Sequence, residues 1–106
     1  HDNAMNCLGL YYYYIEKDYI NAIKYYMMAI DKGNVDAMNN LGIYYKNIEK
    51  DYDMMKKYYM KAIDKGHMNA MRNLGFYYMN IENNPDMSKK YLSMILKSFV
   101  LIYLSI

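Results

Sequence analysis

The sequence predicts an all-α protein: an α/α solenoid of three helix-turn-helix repeats wound into a right-handed superhelix. Three observations carry that expectation: a 33-residue internal period, two apolar stripes of helical spacing in each period, and capping residues at the same phase of every copy. Shifting the chain by 33 residues superimposes Ala4 on Ala37 and Ala70, Leu8-Gly9 on Leu41-Gly42 and Leu74-Gly75, and Tyr11-Tyr12 on Tyr44-Tyr45 and Tyr77-Tyr78. Between residues 4–36 and 37–69, 21 of 33 positions are identical, with no insertion. A fixed period of this length marks an array in which each repeat is one supersecondary unit packed on its neighbours.

The elements follow in order. In the middle copy, Ala37, Leu41, Tyr44, Tyr45 and Ile48 share one helical face, with Asn39, Ile43 and Lys46 roughly opposite. A second stripe, Tyr52, Met55, Tyr59, Ala62 and Ile63, marks a second amphipathic helix. Asp18, Asp51 and Asn84 occupy equivalent places and are good N-caps for the second helices, and Pro85 falls where a first-turn proline is tolerated. Gly33 and Gly66 supply the left-handed residue that helix ends favour. Helices are expected near 2–14, 18–32, 35–47, 51–65, 68–80 and 85–98. They form one domain over 1–106, with repeats at about 1–33, 34–66 and 67–99 and an atypical apolar end at 100–106. Gly9, Gly42 and Gly75 lie in helix interiors, where each costs about 0.5–1 kcal/mol relative to Ala, so a close helix approach is expected there, with Ala29 and Ala62 as the matching small surface.

A chain of 106 residues can bury one modest core. Lys and Arg total 13 against 11 for Asp and Glu; a net charge of +2 without a basic cluster argues against nucleic acid as partner. The single cysteine, Cys7, excludes an intramolecular disulfide framework and a cysteine-based zinc site, and favours a reducing, intracellular setting. The chain opens at His1 without an initiator Met or a signal peptide, as expected of a processed chain or a piece of a longer one. Residues 91–106 carry Lys97 as their one charge, a run too short for a membrane span of about 20 apolar residues. An apolar end on a terminal repeat predicts self-association through 91–106.

Residues 62–75, A-I-D-K-G-H-M-N-A-M-R-N-L-G, closely resemble the Sel-one-like repeat of the tetratricopeptide-like group, and residues 29–42, A-I-D-K-G-N-V-D-A-M-N-N-L-G, repeat the pattern. The resemblance covers about 1–98. The Gly-rich loop usual between that family's two helices is replaced by the shorter N-I-E-K-D of 47–51, and Phe99 stands where Gly33 and Gly66 lead one to expect Gly. The resemblance implies a protein-binding adaptor whose first helices line a concave groove. Carried over by position, Asn6, Asn39 and Arg72 form one row of that groove, Leu10, Ile43 and Phe76 a second, and Tyr13, Lys46 and Met79 a third.

Other features are read as structural. His67 sits at the turn between repeats with only His1 as a fellow imidazole, and Cys7 has nothing basic beside it. Glu16-Lys17-Asp18 and Glu49-Lys50-Asp51 fall short of a calcium site, and the tyrosine spacing suits interhelix packing better than base stacking. No catalytic constellation, cofactor site or metal site is expected. The function expected is a non-enzymatic scaffold binding a peptide or protein; the alternatives are a helical-repeat RNA-binding module and a non-catalytic segment of a larger enzyme or regulatory protein.

Overall fold

In the computed structural model, which describes residues 2–106, six helices follow one another without a strand: α1 Asp2–Tyr11, α2 Tyr19–Asp31, α3 Val35–Tyr44, α4 Tyr52–Asp64, α5 Met68–Asn80 and α6 Pro85–Leu104. His1 lies outside the described residues. Each helix packs on its neighbours in the chain, and α1 also touches α3. The result is a slab of 38 × 36 × 20 Å, two helix diameters thick.

The caps stand where the sequence places them. Asp18, Asp51 and Asn84 accept from the backbone N–H three residues on, at 3.1 Å in each case. Asn34 and His67 do the same for α3 and α5, at 2.9 and 3.1 Å. Gly33 and Gly66 adopt φ of +84° and +83°, the left-handed turn between one helix pair and the next.

Two boundaries differ from the expected ones. The first helices do not stop near 14 and 47; α1 and α3 run on as π-helical turns over Tyr12–Glu16 and Tyr45–Glu49. Each turn closes on a residue in the left-handed region, Lys17 or Lys50 at φ +55°, and the next N–H reaches back six residues, from Asp18 to Tyr12 O and from Asp51 to Tyr45 O, at 2.9 Å. The third copy makes the same closure with Asn83 at φ +53° and Asn84 N donating to Tyr78 O. The wider turn shifts the face by about one residue, which carries Ile48 off the apolar stripe and leaves it 38% exposed. It also lines up residues five apart: the phenols of Tyr11, Tyr44 and Tyr77 donate to Glu16, Glu49 and Glu82 at 2.6, 2.5 and 2.6 Å. The second difference is α6, which continues to Leu104 because Phe99 replaces the turn-forming glycine.

The core repeats with the sequence. Ala22, Tyr26, Ala29, Ala37, Leu41 and Tyr44 gather between α1, α2 and α3, while Met55, Tyr59, Ala62, Ala70, Leu74 and Tyr77 gather between α4 and α5. Within each pair two tyrosine rings stack, Tyr12 on Tyr25, Tyr45 on Tyr58 and Tyr78 on Tyr91, with centroids 5.5, 5.8 and 5.7 Å apart. The mid-helix glycines lie beneath large side chains. A Cβ on Gly42 would stand 2.5 Å from Tyr59 Cδ1, one on Gly9 2.5 Å from Tyr26 Cδ1, and one on Gly75 2.7 Å from Leu92 Cδ2. The partner of each glycine is therefore a ring or a leucine; Ala29 and Ala62 are buried, but they do not occupy that position.

Three expected outcomes follow from this packing. Gly42→Leu overpacks the Tyr59 ring and lowers stability by about 1–3 kcal/mol, read as a fall in the denaturant midpoint; an unchanged midpoint would show room that the structure lacks. Lys50→Asn, which copies Asn83, relieves a left-handed backbone that costs a residue with an ordinary side chain about 1–2 kcal/mol, so thermal denaturation should shift upward. The third outcome concerns pH. Burial, then the hydrogen bond to Glu82, pushes the Tyr77 phenol up to about 12. Burial likewise raises Tyr26, Tyr44 and Tyr59, with the Glu49 hydrogen bond adding to the effect at Tyr44. These folded values exceed the unfolded phenol value of about 10, so the stability they contribute is complete below about pH 10 and is lost as pH rises through the folded values. Melting followed from neutral pH into this range should fall, with tyrosinate absorbance appearing together with unfolding; free titration before unfolding would contradict the burial.

Candidate binding surface

The exposed stripe of the first helices is set by helical geometry. At about 100° per residue, positions 36, 40, 43 and 47 fall within roughly 60° of one another on the side of α3 away from the core. The same positions in the other copies are Asn3, Cys7, Leu10 and Tyr14, and Asn69, Asn73, Phe76 and Asn80; none of the twelve residues is fully buried. The stripe is rich in side-chain amides, and its one formal charge, Asp36, is held by His67 Nε2 at 2.8 Å. His67 Nδ1 accepts from Ala70 N, which leaves the ring proton on Nε2 to face Asp36.

The row of Leu10, Ile43 and Phe76 belongs to this stripe, half-buried in the first two copies and 47% exposed in the third. The other two rows do not form an open groove. Asn6 and Asn39 are each 7% exposed and Tyr13 is 8% exposed, while Lys46 is half-buried. Only the last members, Arg72 and Met79, are fully exposed. The reason is angular: positions 39 and 46 lie about 60–80° to one side of the stripe's first residue, turned toward the following helix pair. Asn40 Nδ2 donates to Asn6 Oδ1 at 3.0 Å and Asn73 Nδ2 to Asn39 Oδ1 at 3.1 Å. Asn6 and Asn39 thus join one helix pair to the next, and Asn47 Nδ2 reaches the Tyr13 hydroxyl at 3.5 Å in the same direction.

Asn40 and Asn73, which composition and spacing did not single out, stand at the centre of the surface. Each spends one amide hydrogen on the ladder and keeps its carbonyl oxygen and second hydrogen without a partner among the described residues. Such a side chain offers what a peptide bond offers, one donor and one acceptor. Among the described residues no three His, Cys, Asp or Glu side chains gather to hold a metal ion, and no helix is long and apolar enough to cross a membrane. Cys7 is exposed on α1.

No family model matches the chain, and no curated protein matches it. Among solved structures it is similar to the crystal structure of immunity protein Pa5087 from Pseudomonas aeruginosa, with a TM-score of 0.75 and 24% sequence identity over 92% of this chain. The chain spans 40% of the length of that structure. The likeness is one of fold, and the shared fold is all-helical.

Proposed function

We infer that the chain is a non-enzymatic protein-interaction scaffold, built as a right-handed, tetratricopeptide-like solenoid of three Sel-one-like repeats, which binds a peptide or protein along the exposed stripe of its first helices. The observation that carries this reading is the division of labour between faces. Ala37, Leu41 and Tyr44 recur unchanged as Ala70, Leu74 and Tyr77, and all six are buried. The stripe is less constant: Leu10, Ile43 and Phe76 differ in all three copies, as Asn3, Asp36 and Asn69 do in the second, while Cys7 and Tyr14 of the first copy give way to Asn40 and Asn47 in the second and Asn73 and Asn80 in the third. Residues released from packing are the ones free to select a partner. Amides at 40, 47, 73 and 80 suit the backbone of an extended peptide, and Leu10, Ile43 and Phe76 suit an apolar side chain running between them. Sparse positive charge makes a phosphate backbone a poor match.

The test uses peptides selected against the chain from a random display library, with RNA homopolymers as the comparison ligand. Asn69→Ala, Phe76→Ala and Asn80→Ala together remove exposed groups, so peptide affinity should fall at least tenfold, about 1.4 kcal/mol, with helicity and melting nearly unchanged. Lys57→Ala with Lys61→Ala, on the exposed side of α4, should leave affinity intact. Affinity that survives the triple replacement and is lost in the lysine pair would assign binding to the second helices, and tight RNA binding without peptide binding would overturn the scaffold reading.

A further inference from the structure

The exposed stripe carries a single formal charge, Asp36, set in the middle copy with a helix pair on either side. In the other two copies its place is taken by Asn3 and Asn69, which have the same shape and no charge. Helix stability does not account for the difference. Asn34 already caps α3 through Ala37 N at 2.9 Å, and both α1 and α5 begin without a carboxylate at that place. The Asp36 side chain is 69% exposed, and among the described residues no lysine or arginine pairs with it. Its one contact is the His67 ring. Because Nδ1 of that ring accepts from Ala70 N at 3.1 Å, the imidazole is neutral and donates through Nε2 at 2.8 Å without bringing a positive charge. Oδ1 of Asp36 is thereby held in place, while Oδ2 has no partner among the described residues. An oriented, uncompensated negative charge therefore stands on a surface that is otherwise uncharged.

We propose that the stripe selects peptides by a basic side chain, lysine or arginine, seated on Asp36, with an apolar side chain of the same peptide against Ile43. The inference rests on the stripe being the peptide site. Asp36, Asn40 and Ile43 follow one another on one side of α3, with Asn40 about 6 Å and Ile43 about 10 Å along the axis from Asp36. Three residues of extended chain also span about 10 Å, so the basic and apolar side chains stand about three residues apart. Between them the peptide backbone passes Asn40, whose carbonyl oxygen and second amide hydrogen are without a partner among the described residues. The charge also fixes position along the array. A peptide displaced by one copy meets Asn3 or Asn69 in place of Asp36 and loses the ion pair. An exposed pair of this kind contributes a factor of about three to five in affinity and weakens with salt, so it sets preference among peptides more than total binding.

The test is a double-mutant cycle on a peptide selected against the unaltered chain from a random display library. Selected peptides should share a lysine or arginine about three residues from their main apolar residue. One arm replaces that basic residue by methionine, and the other is Asp36→Asn, which copies Asn3 and Asn69 and keeps an oxygen for His67. Asp36→Asn should weaken the basic peptide about three- to fivefold and leave the methionine peptide unchanged, with helicity and melting preserved. Should the variant fail to fold, salt serves instead: the unaltered chain should lose its preference for the basic peptide between about 0.05 and 0.5 M salt. Selected peptides without a shared basic position, an equal loss for both peptides in Asp36→Asn, or a preference indifferent to salt would each overturn the inference while peptide binding itself stands. If no peptide is selected at all, the scaffold reading falls and this inference falls with it.

Discussion

The contact on which the structure depends is a tyrosine ring laid flat on a helix that has no side chain beneath it. Tyr26 over Gly9 and Tyr59 over Gly42 bring two helix backbones closer than any Cβ would allow, and Leu92 over Gly75 repeats the arrangement with a smaller group. Each glycine weakens its own helix by about 0.5–1 kcal/mol. The ring it admits is 1% exposed in both cases and removes far more apolar surface from water than an alanine would. Once that approach is fixed, the small residues at 22, 29, 37, 62 and 70 close the remaining space, and the stacked tyrosine pairs fall into place beside them. Several of the buried phenols also find polar partners: Tyr44 and Tyr77 have carboxylates, Tyr58 and Tyr91 have thioethers.

Much of this was legible in the sequence, because helix ends and packing faces are local matters. Asp18, Asp51 and Asn84 announce helices by chemistry that acts over three residues, and Leu41, Tyr44, Tyr59 and Ala62 announce buried faces by spacing alone. The π-helical turns were not legible. A run such as Y-Y-K-N-I-E reads as an ordinary helix, and only the six-residue closure from Asp51 N to Tyr45 O, made against a left-handed Lys50, reveals the wider turn. Ile48 was misplaced for that reason.

The exposed stripe of the first helices was half legible. Leu10, Ile43 and Phe76 do lie on that stripe, but Asn6, Asn39 and Tyr13, read as facing solvent, face the next helix pair. A polar residue off the apolar stripe of one helix can still be buried by a second helix, and a wheel drawn for one helix cannot show it. Asn39 is the clearest case: polar, off the packing stripe of α3, and nevertheless 7% exposed because Asn73 answers it. A buried amide with a dedicated partner fixes the register of two helices more strictly than apolar contact does, since a slip of one residue would leave the oxygen unsatisfied at a cost of about 1–3 kcal/mol.

That every helix rests on its immediate neighbours in the chain has a kinetic side. Nothing from one end of the sequence must find the other before a stable nucleus forms, so the entropy of closing long loops hardly enters, and assembly can begin at any helix pair and spread outward. The same absence of distant ties makes the slab compliant. Among the described residues no extensive contact joins the first pair to the last, so a pull on the two ends is resisted by the seams one after another, like the turns of a spring.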